Sequence, residues 1–274
     1  MEYEFVLNDA VPEAVVQQGM TEMRNYLVTL VYDRSVAGSG ILVTAADVVG
    51  ILTAQHVIAK FTKRPEAPMG IILAGYVHSF DLERDERHIT IIGSPEDSKG
   101  KPELGPDLAF IRILDVAKIG TIRSIKSFYP LDLKNFGPYA NDPKEYMRWF
   151  ITGAPDELTG ELQGDILPAV MFAGAVQFVS YYERGEFDFM RMTIDAGVAN
   201  FPRKYGGVSG GGLWLLPLSR DETLGEGGVS YLAPILVGIA FYEVEVEAPN
   251  TMHLICHGPQ SIYSKCLRHI ATAV

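Results

Sequence analysis

Short apolar segments, each ended by turn residues, recur along almost the whole of this 274-residue chain. They are rich in β-branched and aliphatic side chains and alternate with polar loops such as DLERDER and PEDSKGKPELGPD. Runs of this composition between charged or Gly/Pro-rich loops predict β-strands. In the amino-terminal half the segments are 26–32, 40–44, 48–53, 70–77, 88–93 and 108–114.

The strand pattern weakens between Asp115 and Tyr146, where several prolines and a glycine predict a linker. It then resumes, and the later segments are 148–152, 169–182, 187–194, 212–216, 234–242 and 252–256. The stretch 260–273 carries apolar residues at spacings of three and four, which predicts one amphipathic helix. The chain is therefore expected to be all-β, with two β units of similar size and a carboxyl-terminal helix.

Charge and composition exclude several classes of partner. The formal charge is −11, from 23 basic and 34 acidic residues, and no basic stripe interrupts the acidic surface. Nucleic acids and anionic membranes need clustered Lys and Arg, so neither is expected as a partner. The longest nearly apolar run, 166–179, is broken by Pro168 and Gly174 and is shorter than the ~20 residues that span a bilayer.

The amino-terminal stretch MEYEFVLNDAVPEAVV has neither the positive charge nor the apolar core of a secretory signal, so a cytoplasmic location is expected. Cys256 and Cys266 are expected to be free thiols in that setting. No metal site is expected, because the remaining histidines lack paired ligands and are placed in loops or on the last helix. These histidines are His78, His88, His257 and His269.

A glycine-rich turn, KYGGVSGGGLWLL at residues 204–216, surrounds Ser209 with five glycines. A phosphate-binding loop would lead into a helix, whereas this turn leads into the strand-like LWLLPL. The stretch Gly207–Gly211 also matches the G-x-S-x-G elbow of α/β-hydrolase esterases, which joins a strand to a helix and needs its acid and histidine downstream. That esterase reading stays open as a lesser alternative.

A histidine and a carboxylate suited to assist a serine nucleophile lie upstream, each beside its own strand segment. His56 ends the apolar run in GILTAQHVIAK, and Asp107 opens the segment in GPDLAFIRI. Taken singly, such a histidine is more often an ordinary core or surface residue and such an aspartate a turn cap. The order His56, Asp107, Ser209 across both β units favours a common site.

In these residues the chain resembles the trypsin-like, chymotrypsin-fold serine peptidases, and most of all their bacterial, disulfide-free type. The resemblance rests on TAQHV, DLAFIRI and GGVSGGGL, and extends to GSGILVT, RWFITG, LVGIAFY and the closing helix. It implies two antiparallel six-stranded β-barrels with the active-site cleft between them. The first barrel, 20–126, would carry the histidine and aspartate, the second, 146–258, the serine, and residues 259–274 the helix.

The resemblance also implies a mechanism that uses neither cofactor nor metal. Ser209 would attack a peptide bond as the nucleophile, His56 would be the general base, and Asp107 would orient the imidazole. Backbone N–H groups of Gly207 and Ser209 would form the oxyanion hole. The expected activity is a serine endopeptidase acting on proteins or peptides through an acyl-enzyme.

One position departs from the secreted members of that family, which carry an aspartate before the serine to pair with a newly freed amino terminus. Val208 occupies this position, so activation by that cleavage is not expected. Activity would then be restricted by substrate choice or by a regulatory protein partner. The alternative is a catalytically silent or partner-gated scaffold that binds peptides.

The specificity pocket is the least determined part of the site. Residues before the serine and on two later strands are expected to line it: Arg203, Tyr205, Gly206, Phe241, Tyr242, Glu243 and His253. If Arg203 or His253 enters the pocket, acidic residues should be preferred before the cut. If Glu243 points inward instead, basic residues should be preferred.

Overall fold

Antiparallel strands make up most of the molecule, and they divide into two sheets. The structure is a computed structural model that describes residues 11–73, 80–94, 101–132, 146–159, 169–195, 202–220, 223, 228–245 and 251–272. Within those ranges the chain forms fifteen strands and four α-helices.

The N-terminal sheet pairs in the order β5-β4-β1-β2-β3-β7-β6, with a short β8 parallel to β2. Strand β3 lies inside this sheet and is buried at every position, because neighbouring strands cover its edges and core residues cover both faces. No pairing within the described ranges joins β6 back to β5, so this sheet is a partly open barrel. The strands are β1 (Leu27–Tyr32), β2 (Ser35–Ala45), β3 (Val48–Thr53), β4 (Met69–Ile72), β5 (Phe80–Leu82), β6 (Arg87–Gly93), β7 (Leu108–Ile113) and β8 (Tyr129–Pro130).

The C-terminal sheet closes on itself. Its order is β13-β12-β14-β15-β11-β10-β9, and a further pairing of β9 with β12 completes a ring of six strands, with β13 outside the ring. Apolar side chains such as Ile151, Leu213 and Val237 form its core. The strands are β9 (Tyr146–Gly153), β10 (Phe172–Arg184), β11 (Phe187–Asp195), β12 (Gly212–Arg220), β13 (Val229–Tyr231), β14 (Ile235–Glu245) and β15 (Thr251–His257).

A shared apolar core joins the two sheets, with residues from both and from the last helix. Trp214 lies at its middle, fully buried, and its ring stacks on Tyr26 at 5.5 Å and meets Tyr129 edge-on at 5.5 Å. Burying an aromatic side chain of this size stabilises the fold by about 2–3 kcal/mol relative to leaving it in water. The junction of the sheets is therefore a packed core.

The helices lie outside the two sheets: α1 (Glu13–Arg24), α2 (Gln55–Lys63), α3 (Val116–Ile125) and α4 (Leu267–Thr272). A π-helical turn, Ser261–Cys266, leads into α4 and confirms the predicted carboxyl-terminal helix. Buried Asp188 fixes this turn, because its carboxylate accepts the N–H of Ser261 at 2.6 Å and that of Gln260 at 3.0 Å.

The predicted fold class is confirmed, with differences in detail. The N-terminal sheet exceeds six strands because β5 and β8 add to it. The segment predicted as a linker contains α3, whose Asp115 accepts the Lys118 N–H as an N-cap, while residues 133–145 lie outside the described ranges. The strand predicted at 70–77 is described only as β4, since residues 74–79 also lie outside them. The three domain boundaries stay predictions.

The α/β-hydrolase alternative is wrong. Its serine elbow requires a helix directly after the nucleophile, in a parallel sheet flanked by helices. Here strand β12 begins at Gly212, three residues after Ser209, and its described pairings are antiparallel.

Candidate active site

His56 and Asp107 meet because β3 and β7 are neighbours. Thr53, at the end of β3, pairs with Ala109, near the start of β7, so the residues just beyond those ends lie together. His56 Nδ1 is 2.5 Å from Asp107 Oδ2, and the His56 backbone N–H donates to Oδ1 at 2.9 Å. Because Nδ1 faces a carboxylate it carries the proton, which leaves Nε2 as the basic nitrogen.

Exposure differs sharply between these two residues. The Asp107 side chain is 3% exposed, and the His56 side chain is 43% exposed. A buried carboxylate is costly unless hydrogen-bonded, and here each of its oxygens accepts an N–H of one histidine. The pair thus presents an oriented, accessible imidazole to solvent.

Ser209 lies on the serine loop (residues 202–211), which leads into strand β12 of the C-terminal sheet. Tight turns shape the loop, with Val208 N–H donating to Tyr205 O at 3.0 Å and Gly211 N–H to Val208 O at 2.7 Å. A Cβ on Gly38 would lie 2.6 Å from Val57 and 2.9 Å from Ser209 O, so the chain beside His56 meets the serine loop here.

The hydroxyl of Ser209 is not hydrogen-bonded to His56. Among the residues the structure describes, its one hydrogen bond goes to Phe241 O, at 3.4 Å. The structure therefore joins His56 to Asp107 and holds Ser209 at the junction of the sheets, but it contains no hydrogen bond between Ser209 and His56. Catalytic hydrogen bonds often tighten only when substrate binds.

Ser39, on β2, links the serine loop to the N-terminal sheet. Its N–H donates to Ser209 O at 2.8 Å, its hydroxyl donates to Gly207 O at 2.8 Å, and that hydroxyl accepts the Ala154 N–H at 2.8 Å. Its own carbonyl accepts the Thr53 hydroxyl at 2.6 Å. Sequence reasoning used this residue only as part of the GSGILVT motif and missed the contacts.

The backbone of the serine loop leaves two N–H groups, those of Gly207 and Ser209, without an acceptor in the described ranges. Asp156 N–H donates to Gly206 O at 2.7 Å, and in a trans peptide the following N–H, that of Gly207, points the opposite way. By the same reasoning the Ser209 N–H points away from Gly211, which donates to Val208 O. Neither N–H donates to any residue in the described ranges. Two such donors can stabilise the oxyanion that forms on a carbonyl oxygen when a nucleophile attacks the carbonyl carbon.

Two of the expected pocket residues are mostly core. The Tyr205 ring is 2% exposed and lies 6.0 Å from that of Phe172. The Phe241 ring is 1% exposed and packs between Phe189 and His257. Only the Phe241 carbonyl faces the serine.

Among the charged pocket candidates, Glu243 is the one whose side chain bonds the serine loop. Its Oε2 accepts the Tyr205 N–H at 2.9 Å, and burial raises the pKa of this half-buried carboxyl. Arg203 is exposed, and its backbone N–H donates to Glu157. His253 is half-buried on β15, where burial and then the charge of Arg191 lower its pKa.

The remaining pocket candidates, Gly206 and Tyr242, are exposed and half-buried respectively. Among the histidines, His88 lies on β6 and His269 on α4, and His78 lies outside the described residues. The expected loop position is wrong for His88, which lies on a strand, and for His257, which is fully buried at the end of β15. Its Nε2 accepts the Asp107 N–H at 3.0 Å.

Acid should destabilise the protein through His257. Burial, opposed by the charge of Asp107, lowers the pKa of His257 to about 4, below the ordinary value of 6.5. Between these values the unfolded chain binds a proton that the folded chain does not, so stability falls as pH falls from 6.5 towards 4. We expect this residue to reduce the free energy of unfolding by about 2 kcal/mol between pH 7 and pH 4.5.

Urea denaturation at both pH values measures this effect. The variant His257→Phe lacks the titrating group, so it should lose about 2 kcal/mol less than wild type over the same interval. Equal losses in the two proteins would show that His257 is not held neutral in the fold.

Within the described ranges, no group of three His, Cys, Asp or Glu side chains is placed to hold a metal ion. None of the helices in those ranges has the length and apolar character to cross a membrane.

Comparison with known proteins finds similar structures at low sequence identity. No protein-family model matches the chain, and no curated protein does. Neuropsin, a serine protease of mouse brain, superposes with a TM-score of 0.51 at 15% identity, covering 92% of this chain and 96% of neuropsin. An inactive serine-to-alanine form of Rv3671c from M. tuberculosis gives 0.46 at 12% identity, covering 96% and 94%. The serine protease domain of the Sesbania mosaic virus polyprotein gives 0.40 at 14%, covering 88% and 91%.

The similarity to neuropsin, together with the two antiparallel barrel-like sheets, shows the fold. The chain has the two-barrel chymotrypsin fold of the trypsin-like serine proteases.

Proposed function

We propose that this protein is a serine endopeptidase with Ser209 as nucleophile, His56 as general base and Asp107 as the orienting acid. The observation that carries the proposal is the His56–Asp107 pair. Both oxygens of one buried carboxylate hold a single exposed histidine at the junction where the serine loop arrives. A structural histidine has no need of a second carboxylate contact or of an accessible Nε2.

The chemistry follows from these positions. Ser209 Oγ attacks the peptide carbonyl carbon while its proton passes to His56 Nε2, and Asp107 stabilises the imidazolium that forms. The carbonyl oxygen becomes an oxyanion that accepts the N–H groups of Gly207 and Ser209. The C–N bond then breaks, His56 protonates the leaving amine, and water hydrolyses the acyl-enzyme by the same proton route.

Covalent labelling tests the proposal directly. A fluorophosphonate should form one adduct, located on Ser209 by peptide mass spectrometry, because only an activated hydroxyl attacks phosphorus readily. Heat-unfolded protein is the control and should not react. No adduct on folded protein, or an adduct at another serine, would contradict the assignment.

Gly207→Ala should impair the oxyanion hole. Gly207 has φ of +82°, and a Cβ there would lie 2.4 Å from both Ala154 O and Asp156 Oδ1, so the loop must move. Displacing one oxyanion donor lowers kcat by about 10²–10³. Steady-state kinetics on a peptide substrate measures the change.

Gly185→Ala is the matched control for Gly207→Ala. Gly185 also has positive φ, +62°, but no heavy atom lies within 4 Å of its Cβ position. It should cost about 1 kcal/mol of stability from backbone strain and leave kcat unchanged. Equal kcat values for the two variants would show that Gly207 does not contribute to the oxyanion hole.

A gated enzyme is the second candidate, favoured by one observation. The Ser209 hydroxyl bonds Phe241 O and not His56, so the nucleophile is not yet activated in this conformation. Substrate or a regulatory protein partner would then complete the contact. We also propose a cytoplasmic setting, which the two free cysteines support.

We propose that Glu243 makes the pocket selective for basic residues. The half-buried carboxylate of Glu243 lies on β14 against the serine loop and favours Lys or Arg before the cut, while Arg203 is exposed. A charge-assisted hydrogen bond supports about tenfold to hundredfold discrimination.

A peptide-library cleavage profile tests this preference. We expect enrichment of Lys or Arg, reduced in Glu243→Gln and retained in the control Arg203→Gln. Enrichment of Asp or Glu would instead assign the pocket to Arg203 or His253, and an apolar profile would exclude all three.

A further inference from the structure

His257 is a buried titratable group that the proposed mechanism does not use. It is 0% exposed and lies on β15 of the C-terminal sheet. Its Nε2 nevertheless accepts the backbone N–H of Asp107 at 3.0 Å, although Asp107 is 150 residues away and directly precedes β7 of the other sheet. The hydrogen bond therefore crosses the junction of the two sheets behind the candidate site.

This contact fixes the protonation state of His257. A ring nitrogen that accepts a hydrogen bond carries no proton, so a neutral ring must have its proton on Nδ1. Nδ1 is buried and has no partner among the described residues. Burial lowers the pKa of His257 to about 4, which agrees with a neutral ring at physiological pH.

An aromatic cluster holds the ring in place. Ring centroids of Phe187, Phe189 and Phe241 lie 5.7, 5.2 and 4.8 Å from that of His257. Two residues before Asp107, a Cβ on Gly105 would lie 2.5 Å from Phe189, so the chain that carries the aspartate rests on the same cluster. His257 is thus rigid, and it supplies the cluster's polar contact to Asp107.

The same cluster also reaches the serine. The Phe241 ring packs on His257, while its carbonyl accepts the Ser209 hydroxyl at 3.4 Å. One buried assembly therefore contacts the backbone of the acid and the hydroxyl of the nucleophile, although the two come from different sheets.

We infer that His257 is a positioning residue of the proposed reaction: its neutral imidazole anchors the Asp107 backbone from behind, so that both carboxylate oxygens stay directed at His56. The inference rests on the proposed function for its kinetic consequence. Asp107 is then held by three hydrogen bonds, two on the carboxylate from His56 and one on the backbone from His257.

Three substitutions separate this role from packing. In His257→Gln the amide oxygen stands near the Nε2 position and can still accept the Asp107 N–H. In His257→Phe the ring packing is kept without an acceptor, and in His257→Asn the shorter amide does not reach. His88→Gln, at an exposed histidine on β6 of the N-terminal sheet, is the matched control.

We expect kcat to fall about 10- to 100-fold in H257F and H257N with KM unchanged, because small displacements of catalytic groups cost this much. H257Q should stay within about fivefold of wild type, and H88Q should have the wild-type kcat. Equal losses in H257Q and H257F would overturn the inference, since packing alone would then explain both. A loss confined to KM would overturn it as well.

Proton NMR gives a readout that needs no turnover. The proton between His56 Nδ1 and Asp107 Oδ2 should resonate far downfield in wild type and H257Q and be lost or shifted in H257F. An unchanged signal in H257F contradicts the positioning role. If wild type forms no Ser209 adduct with the fluorophosphonate, the proposed function fails, and the NMR comparison still decides the role of His257.

Wild-type protein alone supplies a further check, should H257F not fold. With ¹⁵N-labelled histidine at pH 7, His257 should show the neutral form with its proton on Nδ1. A proton on Nε2 would overturn the inference, because that nitrogen could not accept the Asp107 N–H.

Discussion

Ser209→Ala should lower kcat by about 10⁶-fold while leaving the fold intact. The methyl group that remains cannot form an acyl-enzyme, so only binding and the two loop N–H groups can still act on a substrate. The hydroxyl makes one hydrogen bond within the described ranges, at 3.4 Å, so its loss should change thermal stability little. Single-turnover kinetics with an activated peptide ester measures the effect.

The control for this substitution is Ser219→Ala. Ser219 lies on β12 and its hydroxyl bonds Ser230, away from the serine loop. It should retain wild-type kcat and label normally with a fluorophosphonate. If the Ser209→Ala variant still turned over substrate at a near wild-type rate, Ser209 would not be the nucleophile.

Asp107→Asn should lower kcat by about 10⁴-fold. Asp107 Oδ2 accepts from His56 Nδ1, whereas an amide nitrogen at that position would donate to it. The proton would then move to Nε2, and the imidazole could no longer accept the proton of Ser209. The amide oxygen can still accept the His56 backbone N–H, so the fold should survive.

Asp132→Asn is the matched control for Asp107→Asn, because within the described ranges its exposed carboxylate accepts only the Ala46 N–H, at a turn. Kinetics should be unchanged there. A loss below tenfold in Asp107→Asn would show that His56 works without an orienting acid, and the triad hypothesis would fail. A circular dichroism spectrum identical to wild type separates chemistry from unfolding.

Much of the fold could be predicted because its signals are local. Strands such as β3 and β7 are short apolar runs bounded by polar loops, and that pattern is visible in any window of the sequence. The glycine-rich turn indicated a strand after Ser209 because no helix starts readily with three glycines. The His56–Asp107 contact depends on β3 and β7 being neighbours, which the sheet order shows and the order along the chain does not.

The parts that could not be predicted depend on contacts between distant segments. In α3 the β-branched residues resemble a strand, and the one helical signal is Asp115 as its N-cap. The sequence predicts a loop position for His257 because nothing near it shows its partner, Asp107, which lies 150 positions earlier. Ser39 is one small polar residue in a strand, and nothing local shows that its hydroxyl serves both Gly207 and Ala154.

Ser39 also limits how the two halves of this molecule can move. Three hydrogen bonds of 2.8 Å radiate from this one fully buried residue to Ser209, Gly207 and Ala154, all on the opposite side of the junction. A hinge opening between the barrels would break all three hydrogen bonds at once. Each buried polar group left without a partner would cost about 1–3 kcal/mol. Any slow step that admits substrate must therefore come from surface loops, and exchange of the Ser39 amide with solvent should require global unfolding.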